Sequence, residues 1–266
     1  MEYETIEFRR EGPVGILTLN RPESLNAINF KMRDEFRHFL KERFDDLETR
    51  VIVMTGAGRA FSAGLDIRDP EIVNRDYSPK SAYENQRLYS DFILFMRQCP
   101  QPIVGAINGV SVGAGFSIAM ACDIRLATPK TRFQAAYINL GFGGADMGSS
   151  WLLPRTVGTG NAARYLLTGD FMDAQEALRI GFVQAVVEQE QLMKEAMAIA
   201  QNLATKSPLG LRLTKEALDR NTGGMSLEDA IRLEDRNQAM TIAPVSYTHL
   251  RAHETVLDLV CRLLLE

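Results

Sequence analysis

Between residues 51 and 127, short apolar runs alternate with stretches of helical spacing, and that order leaves few folds open. Val51–Met54, Pro102–Ile107 and Ile124–Ala127 have the length and content of buried strands. Residues 81–98 repeat apolar positions at helical spacing, and Gly109–Cys122 reads as a helix of small residues. A β-α-β-α-β order predicts parallel strands with helices packed outside them. Two further strands, Tyr3–Phe8 and Val14–Leu19, come first, separated by the turn signal Glu11-Gly12-Pro13. Asn29 is placed to cap a helix that carries Met32, Phe36, Phe39 and Leu40 on one face. From Met147 onward the pattern is nearly all helical, over 158–167, 173–180, 188–204, 209–220 and 226–242. The class is therefore α/β, a sheet-bearing core followed by a helical C-terminal third.

Composition then narrows function by exclusion. A net charge of −4 argues against a nucleic-acid groove, which carries a basic surplus. The longest apolar runs are broken by Gly or a charge well short of a bilayer span, so no membrane partner is expected. The opening MEYETIEFRREG lacks the apolar core of a signal peptide, and a cytoplasmic location is expected. Cys99, Cys122 and Cys261 form no CxxC pair, and His38, His249 and His253 have no ligand spacing with them, so no metal site is expected.

Three glycine-rich stretches imitate known chemistry. Gly109-Val-Ser-Val-Gly113 matches the G-x-S-x-G nucleophile elbow, but Ser111 needs a base. That fold places its His after the Ser, and the later histidines fall in an anomalous tail; a hydrolase using Ser111 stands as a minor alternative. Gly158-Thr-Gly160-Asn-Ala-Ala163 imitates a dinucleotide fingerprint without the preceding strand. Gly56–Gly64 lacks the Lys-Ser/Thr ending of a phosphate-binding loop, yet its glycines let backbone N–H groups approach a ligand.

Two glycine-rich turns each follow a strand: Ala60-Phe-Ser-Ala-Gly-Leu-Asp-Ile67, and Asn108-Gly-Val-Ser-Val-Gly-Ala-Gly115 running into a helix. With Leu19-Asn-Arg-Pro-Glu-Ser-Leu-Asn-Ala27, Cys122-Asp-Ile-Arg125, Leu153-Pro-Arg155, Leu167-Thr-Gly169 and Ala174–Val183, they form an ordered series. That series resembles the crotonase (enoyl-CoA hydratase/isomerase) superfamily over roughly residues 3–243. The resemblance implies a crotonase-like spiral of ββα repeats with a helical C-terminal third, acting as a lyase or isomerase in fatty acid metabolism. It implies an acyl-CoA thioester as substrate and no cofactor beyond the CoA moiety.

By the same resemblance, the backbone N–H groups of Leu65 and Ala114 form an oxyanion hole for the thioester carbonyl. Removing an α-proton, or adding water at Cβ, puts negative charge on that oxygen, and one fixed donor there is worth ~3–4 kcal/mol of barrier. Ser24, Leu25, Ala27 and the loop Ala63, Gly64, Leu65, Asp66 and Ile67 are implied to line the CoA adenine and pantetheine, with Gly113 beside Ala114. Arg68 stands where relatives often carry a Lys near CoA and is a candidate phosphate contact; Arg21 and Arg68 otherwise read as solvated surface charge.

The family's two hydratase glutamates correspond to Ser117 and Tyr137, so the usual carboxylate pair is absent. Each such group contributes about 10²–10⁴-fold, which leaves an acyl-CoA-binding protein with little catalysis as an alternative. Downstream, Asp146 resembles the Asp that dienoyl-CoA isomerases carry in the corresponding loop; it reads equally as the N-cap of a helix over Met147–Leu153. A cleft lined by Phe116, Tyr137, Ile138 and Phe142 is expected to raise its pKa by desolvation.

The expected organisation is a core over 1–190, a helical region over 191–244 and a tail over 245–266. Relatives assemble as trimers or dimers of trimers, so a homotrimer or hexamer is implied, with the helical region packing across subunits. Val245–Thr255 back-translates, with permitted codons, to a string resembling the end of a transposase-based sequencing adapter, and the tail reads as non-native. The other reading is an ordinary amphipathic helix over Val256–Leu265.

Overall fold

The computed structural model describes residues 2–74 and 78–241. Its first strands, β1 (Ile6–Glu11) and β2 (Val14–Leu19), pair as an antiparallel hairpin in the register Ile6↔Leu19 to Glu11↔Val14. Helix α1 (Phe30–Glu42) follows, capped as expected: the Asn29 side chain accepts from the Met32 N–H. Then come β3 (Val51–Gly56), β4 (Ala60–Ser62), α2 (Pro70–Val73), α3 (Pro79–Gln98), β5 (Ile103–Ile107), β6 (Val110–Val112), α4 (Ala114–Ala121), β7 (Ile124–Ala127) and β8 (Arg132–Gln134). The remainder is α5 (Ser149–Val157), α6 (Thr159–Thr168), β9 (Met172–Asp173), α7 (Ala174–Arg179), β10 (Ala185–Val186), α8 (Gln189–Ala204), α9 (Pro208–Asn221) and α10 (Leu227–Thr241).

Among the described residues the strands form two sheets, of order β1-β2-β3-β5-β7-β10 and β4-β6-β8-β9. From β2 to β10 the large sheet is parallel; β4, β6 and β8 are parallel in the small one, and β9 closes it antiparallel. Each of β3, β5 and β7 therefore continues into a short strand of the second sheet before the chain turns helical, the expected ββα repeat. The short strands were hidden from sequence reading, because three residues carry no period. Where the sequence predicts a helix from Gly109, the chain runs as β6 and a turn, and α4 begins only at Ala114.

Strand alternation separates two cores. Ile52 and Met54 face a cluster with Phe36, Phe39, Phe92, Phe116 and Phe133. Val51 and Val53 point the other way, with Val14, Ile16, Val104 and Leu126, onto Leu192, Ala196, Ala200 and Ala204 of α8. These four recur every fourth residue, one stripe of the helix, and the alanines let its backbone lie close to the sheet. This helix belongs to a compact unit that runs to Thr205, and a second unit begins at Lys206. In the second unit α9 and α10 pack together, the Asn237 side-chain amide donating to the Leu213 carbonyl at 3.4 Å. The reading of 245–266 as adapter-derived sequence concerns residues outside those described. No helix among the described residues is long and apolar enough to cross a membrane.

Candidate active site

Parallel pairing of β4 with β6, Ala60 opposite Val110 and Ser62 opposite Ser111, brings the two glycine-rich turns to one sheet edge. Gly64, at φ +86°, lies so close to the second turn that a Cβ on it would stand 2.6 Å from the Val112 carbonyl oxygen and 3.2 Å from the Ala114 nitrogen. Gly113, at φ +53°, makes the turn from which α4 starts. Both are left-handed positions that L side chains adopt rarely.

The backbone bonds around Leu65 leave its N–H out, while its carbonyl accepts from Ile67 N–H at 3.0 Å. Ile28 N–H donates to the Gly64 carbonyl at 2.7 Å and Asp66 N–H to the Ile28 carbonyl at 3.1 Å. Among the described residues, the N–H groups of Leu65 and Ala114 donate to no backbone carbonyl. For Ala114 the reason is its place at the first position of α4, where no earlier turn supplies an acceptor and the positive end of the helix dipole adds to the field.

A buried amide holds the turns in place. Asn26 Nδ2 donates to the carbonyls of Ala57 at 2.9 Å and Ala60 at 2.8 Å, and its Oδ1 accepts from Arg21 N–H at 2.9 Å. Its own carbonyl accepts from Ser62 Oγ at 2.8 Å, and that hydroxyl accepts from Gly64 N–H at 3.2 Å. Leu25 and Asn26 both sit at φ +55°, strain of ~1–3 kcal/mol per residue that this network holds. Asn108 repeats the device one strand over, bonding the carbonyls of Gly56 and Gly58 and the Gly56 N–H.

The residues expected to line CoA divide. Ser24, Leu25, Ala63 and Leu65 are half-buried along this edge, Ala27 and Gly64 are buried, and Ile67 and Arg68 are exposed. Asp66 takes a structural part: Oδ2 accepts from Arg21 Nη1 at 2.8 Å, and Oδ1 from the Arg68 N–H at 3.3 Å. Arg21 is thus an ion-pair partner, not the solvated charge that its type suggests.

Ser117 and Tyr137, on α4 and after β8, meet below the second turn. Their hydroxyl oxygens are 2.7 Å apart, and Tyr137 OH donates to the Gly113 carbonyl at 3.2 Å. Asp146 lies beside them: Ser117 Oγ is 3.4 Å from its carbonyl oxygen, and its Oδ1 accepts from Met147 N–H at 2.7 Å and Gln86 Nε2 at 2.5 Å. Burial pushes the Asp146 carboxyl above the usual carboxylate range, against the lowering effect of those two donors. Burial likewise pushes the Tyr137 phenol up, against the hydrogen bond from Ser117.

Three expectations are corrected here. Asp146 is not an N-cap: α5 starts at Ser149 with Gly148 at its cap, after Met147 turns left-handed at φ +46°. Phe116 and Phe142, expected to line one cleft, lie in different surroundings. The first is 1% exposed, in the core with ring centroids 5.9 Å from Phe133 and 5.3 Å from Phe182; the second is 67% exposed. Ser111 is no nucleophile, being fully buried with Oγ donating to the Gly115 carbonyl at 3.0 Å, while His38 bonds Tyr3 OH at 3.0 Å on α1. His249 and His253 lie outside the described residues. Sequence reading missed Asn26, Asn108 and Gln86. The two asparagines stand inside quoted motifs, and Asn tolerates left-handed backbone; nothing local marks Gln86.

Comparisons with known proteins bear on the family and the fold. The family model described as enoyl-CoA hydratase/isomerase matches residues 9–250. The probable enoyl-CoA hydratase EchA12 of Mycobacterium tuberculosis is 38% identical over 225 residues, covering 84% of this chain and 79% of that protein. The 1,2-epoxyphenylacetyl-CoA isomerase of Escherichia coli is 36% identical over 209 residues, 79% of each chain. The crystal structure of a probable enoyl-CoA hydratase/isomerase from Mycobacterium abscessus superposes with a TM-score of 0.87 at 35% identity, covering 95% of this chain and 96% of that one. Motif order, fold and family model coincide, and the chain belongs to the enoyl-CoA hydratase/isomerase family of the crotonase superfamily as a hydratase/isomerase-like enzyme.

Proposed function

We propose that this protein binds an unsaturated acyl-CoA, holds the thioester oxygen on the N–H groups of Leu65 and Ala114, and moves a proton with Asp146. The observation that carries the reading is the contact of the two turns, which sets Gly64 against the Ala114 nitrogen with both N–H groups left over from backbone pairing. Fixed donors of this kind stabilise an enolate because they need not reorganise as charge builds on the oxygen.

The chemistry favoured is double-bond isomerisation. Asp146 carboxylate takes a proton from the α- or γ-carbon, the electron pair delocalises onto the thioester oxygen, and the resulting carboxylic acid returns the proton at the other carbon. No water enters and no atom is lost. The two positions where the family's hydratases hold carboxylates carry Ser117 and Tyr137, hydrogen-bonded to each other, and neither hydroxyl is an efficient base. A carboxyl pushed up by burial is better matched to returning a proton near neutrality.

Along the same edge Ser24, Leu25, Ala27 and Ala63–Ile67 receive the adenine and pantetheine of CoA, with the exposed Arg68 toward a phosphate. Assembly as a homotrimer or dimer of trimers belongs to the same proposal. The test is deuterium exchange and product analysis in heavy water over a panel of enoyl-CoA esters. The wild type exchanges and isomerises, and Asp146→Asn falls by ~10²–10⁴-fold. Full turnover by Asp146→Asn on every accepted ester sinks its role. Tight binding without exchange by the wild type supports the second reading, an acyl-CoA-binding protein with little catalysis, which the missing glutamates favour.

A further inference from the structure

One amide plane carries both a proposed substrate contact and an internal one. The Gly113–Ala114 peptide offers the Ala114 N–H to the thioester oxygen. Its carbonyl, on Gly113, accepts from Ser117 N–H at 3.1 Å inside the helix and from the Tyr137 hydroxyl at 3.2 Å. Tyr137 in turn lies 2.7 Å from Ser117 Oγ. We infer that Tyr137 is a positioning residue for the oxyanion hole, its hydroxyl aligning and polarising the peptide whose N–H holds the substrate oxygen, with Ser117 Oγ donating to Tyr137 behind it. This rests on the reading of Ala114 as an oxyanion donor.

Three features support it. Gly113 has φ +53° and no Cβ, so the peptide leaving it has few steric restraints, and its plane is held by the Ser117 N–H and the Tyr137 hydroxyl together. The Tyr137 ring packs over this turn, its Cδ1 and Cε1 lying 3.9 Å from where a Gly113 Cβ would be. A donor on an amide oxygen also increases the positive character of the N–H on the same amide, a cooperative gain of ~10–30% per bond. The tyrosine stays protonated for this work, since burial raises its pKa.

The distances favour one proton order. Ser117 Oγ has one hydrogen and two acceptors in reach, Tyr137 OH at 2.7 Å and the Asp146 carbonyl at 3.4 Å. Giving it to Tyr137 uses the shorter contact and leaves the tyrosine hydrogen for Gly113. The two hydroxyls standing where the family's hydratases hold carboxylates are thereby drawn into supporting the hole instead of ordering a water.

The experiment compares wild type, Tyr137→Phe and Ser117→Ala by isotope-edited infrared spectroscopy of bound crotonyl-CoA labelled at the thioester carbonyl, and by kcat and KM for α-deuterium exchange. The expected result is a lowered carbonyl stretch in the wild type that partly returns toward the free value in Tyr137→Phe. Its kcat falls about tenfold, less than the ~10²–10³ loss of a whole oxyanion donor, with KM nearly unchanged. Ser117→Ala shifts both readouts in the same direction by less. A wild-type stretch and kcat in Tyr137→Phe overturn the inference, whatever happens to its Tm. If that variant does not fold, an unchanged stretch in Ser117→Ala overturns it and a partial return supports it. A wild type with no lowered stretch overturns the oxyanion reading as well, so the two failures are distinguishable.

Discussion

Gln86 on α3 donates its amide N–H to Asp146 Oδ1 at 2.5 Å, joining positions sixty residues apart. This contact turns an otherwise partly buried carboxyl into an oriented one, and it lowers a pKa that burial raises. With the Met147 N–H it offsets burial, and the balance sets the pH above which the Asp146 carboxyl is ionised.

The acid limb of the pH–rate profile is therefore expected above the range of an ordinary carboxylate. Gln86→Leu removes a lowering contact and moves that limb to still higher pH, with the plateau rate reduced by misorientation. A profile of kcat for α-deuterium exchange checks both, and an unmoved limb contradicts the role given to Gln86.

The same shift has a stability consequence of opposite sign. A carboxyl whose pKa is raised on folding favours the folded state when protonated, and that advantage is lost as pH rises from the unfolded value through the folded one. Asp146→Asn is thus expected to raise Tm at pH 7 relative to wild type while losing activity. The Tm difference shrinks as pH is lowered below the Asp146 pKa, measurable by thermal scans at several pH values.

Gly64→Ala places a methyl 2.6 Å from the Val112 carbonyl oxygen at a left-handed backbone position. The expected cost is ~1–3 kcal/mol of stability from strain. Because the neighbouring contact is the Ala114 nitrogen, kcat should fall by ~10²-fold, as for a displacement of about 1 Å in a catalytic group. Urea melts beside exchange kinetics separate the two effects.

Asn26→Ala leaves the carbonyls of Ala57 and Ala60 and the Arg21 N–H without their side-chain partner in a fully buried place. A loss of ~3 kcal/mol or more is expected, since each buried polar group left unsatisfied costs ~1–3 kcal/mol. Asn26→Asp should not rescue it, because the carboxylate cannot donate to two carbonyls. Denaturant midpoints decide.

On the opposite face of the sheet, Ala200→Leu overpacks the α8 stripe and should cost ~1–3 kcal/mol. Activity per folded molecule should be unchanged, since the stripe lies in the second core and away from both glycine turns. A matching loss of kcat would mean that the sheet edge moves with α8.

Much of this was readable in one dimension. The alternation of apolar runs and helical stretches contains the large sheet, and Asn29 marks the start of α1. The motif series foretold the two turns whose glycines stand at φ +86° and +53°. Short-range signals suffice there, because φ preference, capping and periodicity act within a few residues. The three-residue strands of the second sheet escaped, being too short to show a period.

What the sequence determined by itself was the family, the repeat and the pair of glycine turns. The tertiary structure alone decided their company: Asn26 across 34 residues to Ala60, Tyr137 across 24 to Gly113, Gln86 across 60 to Asp146. It also sent Phe116 into the core, left Phe142 in solvent, and gave the Asp146 carboxyl a partner in place of a cap. The reason is physical. A hydrogen bond between distant residues exists only once helices have packed on a sheet in one register, and no local preference encodes which side chains that packing brings within bonding distance.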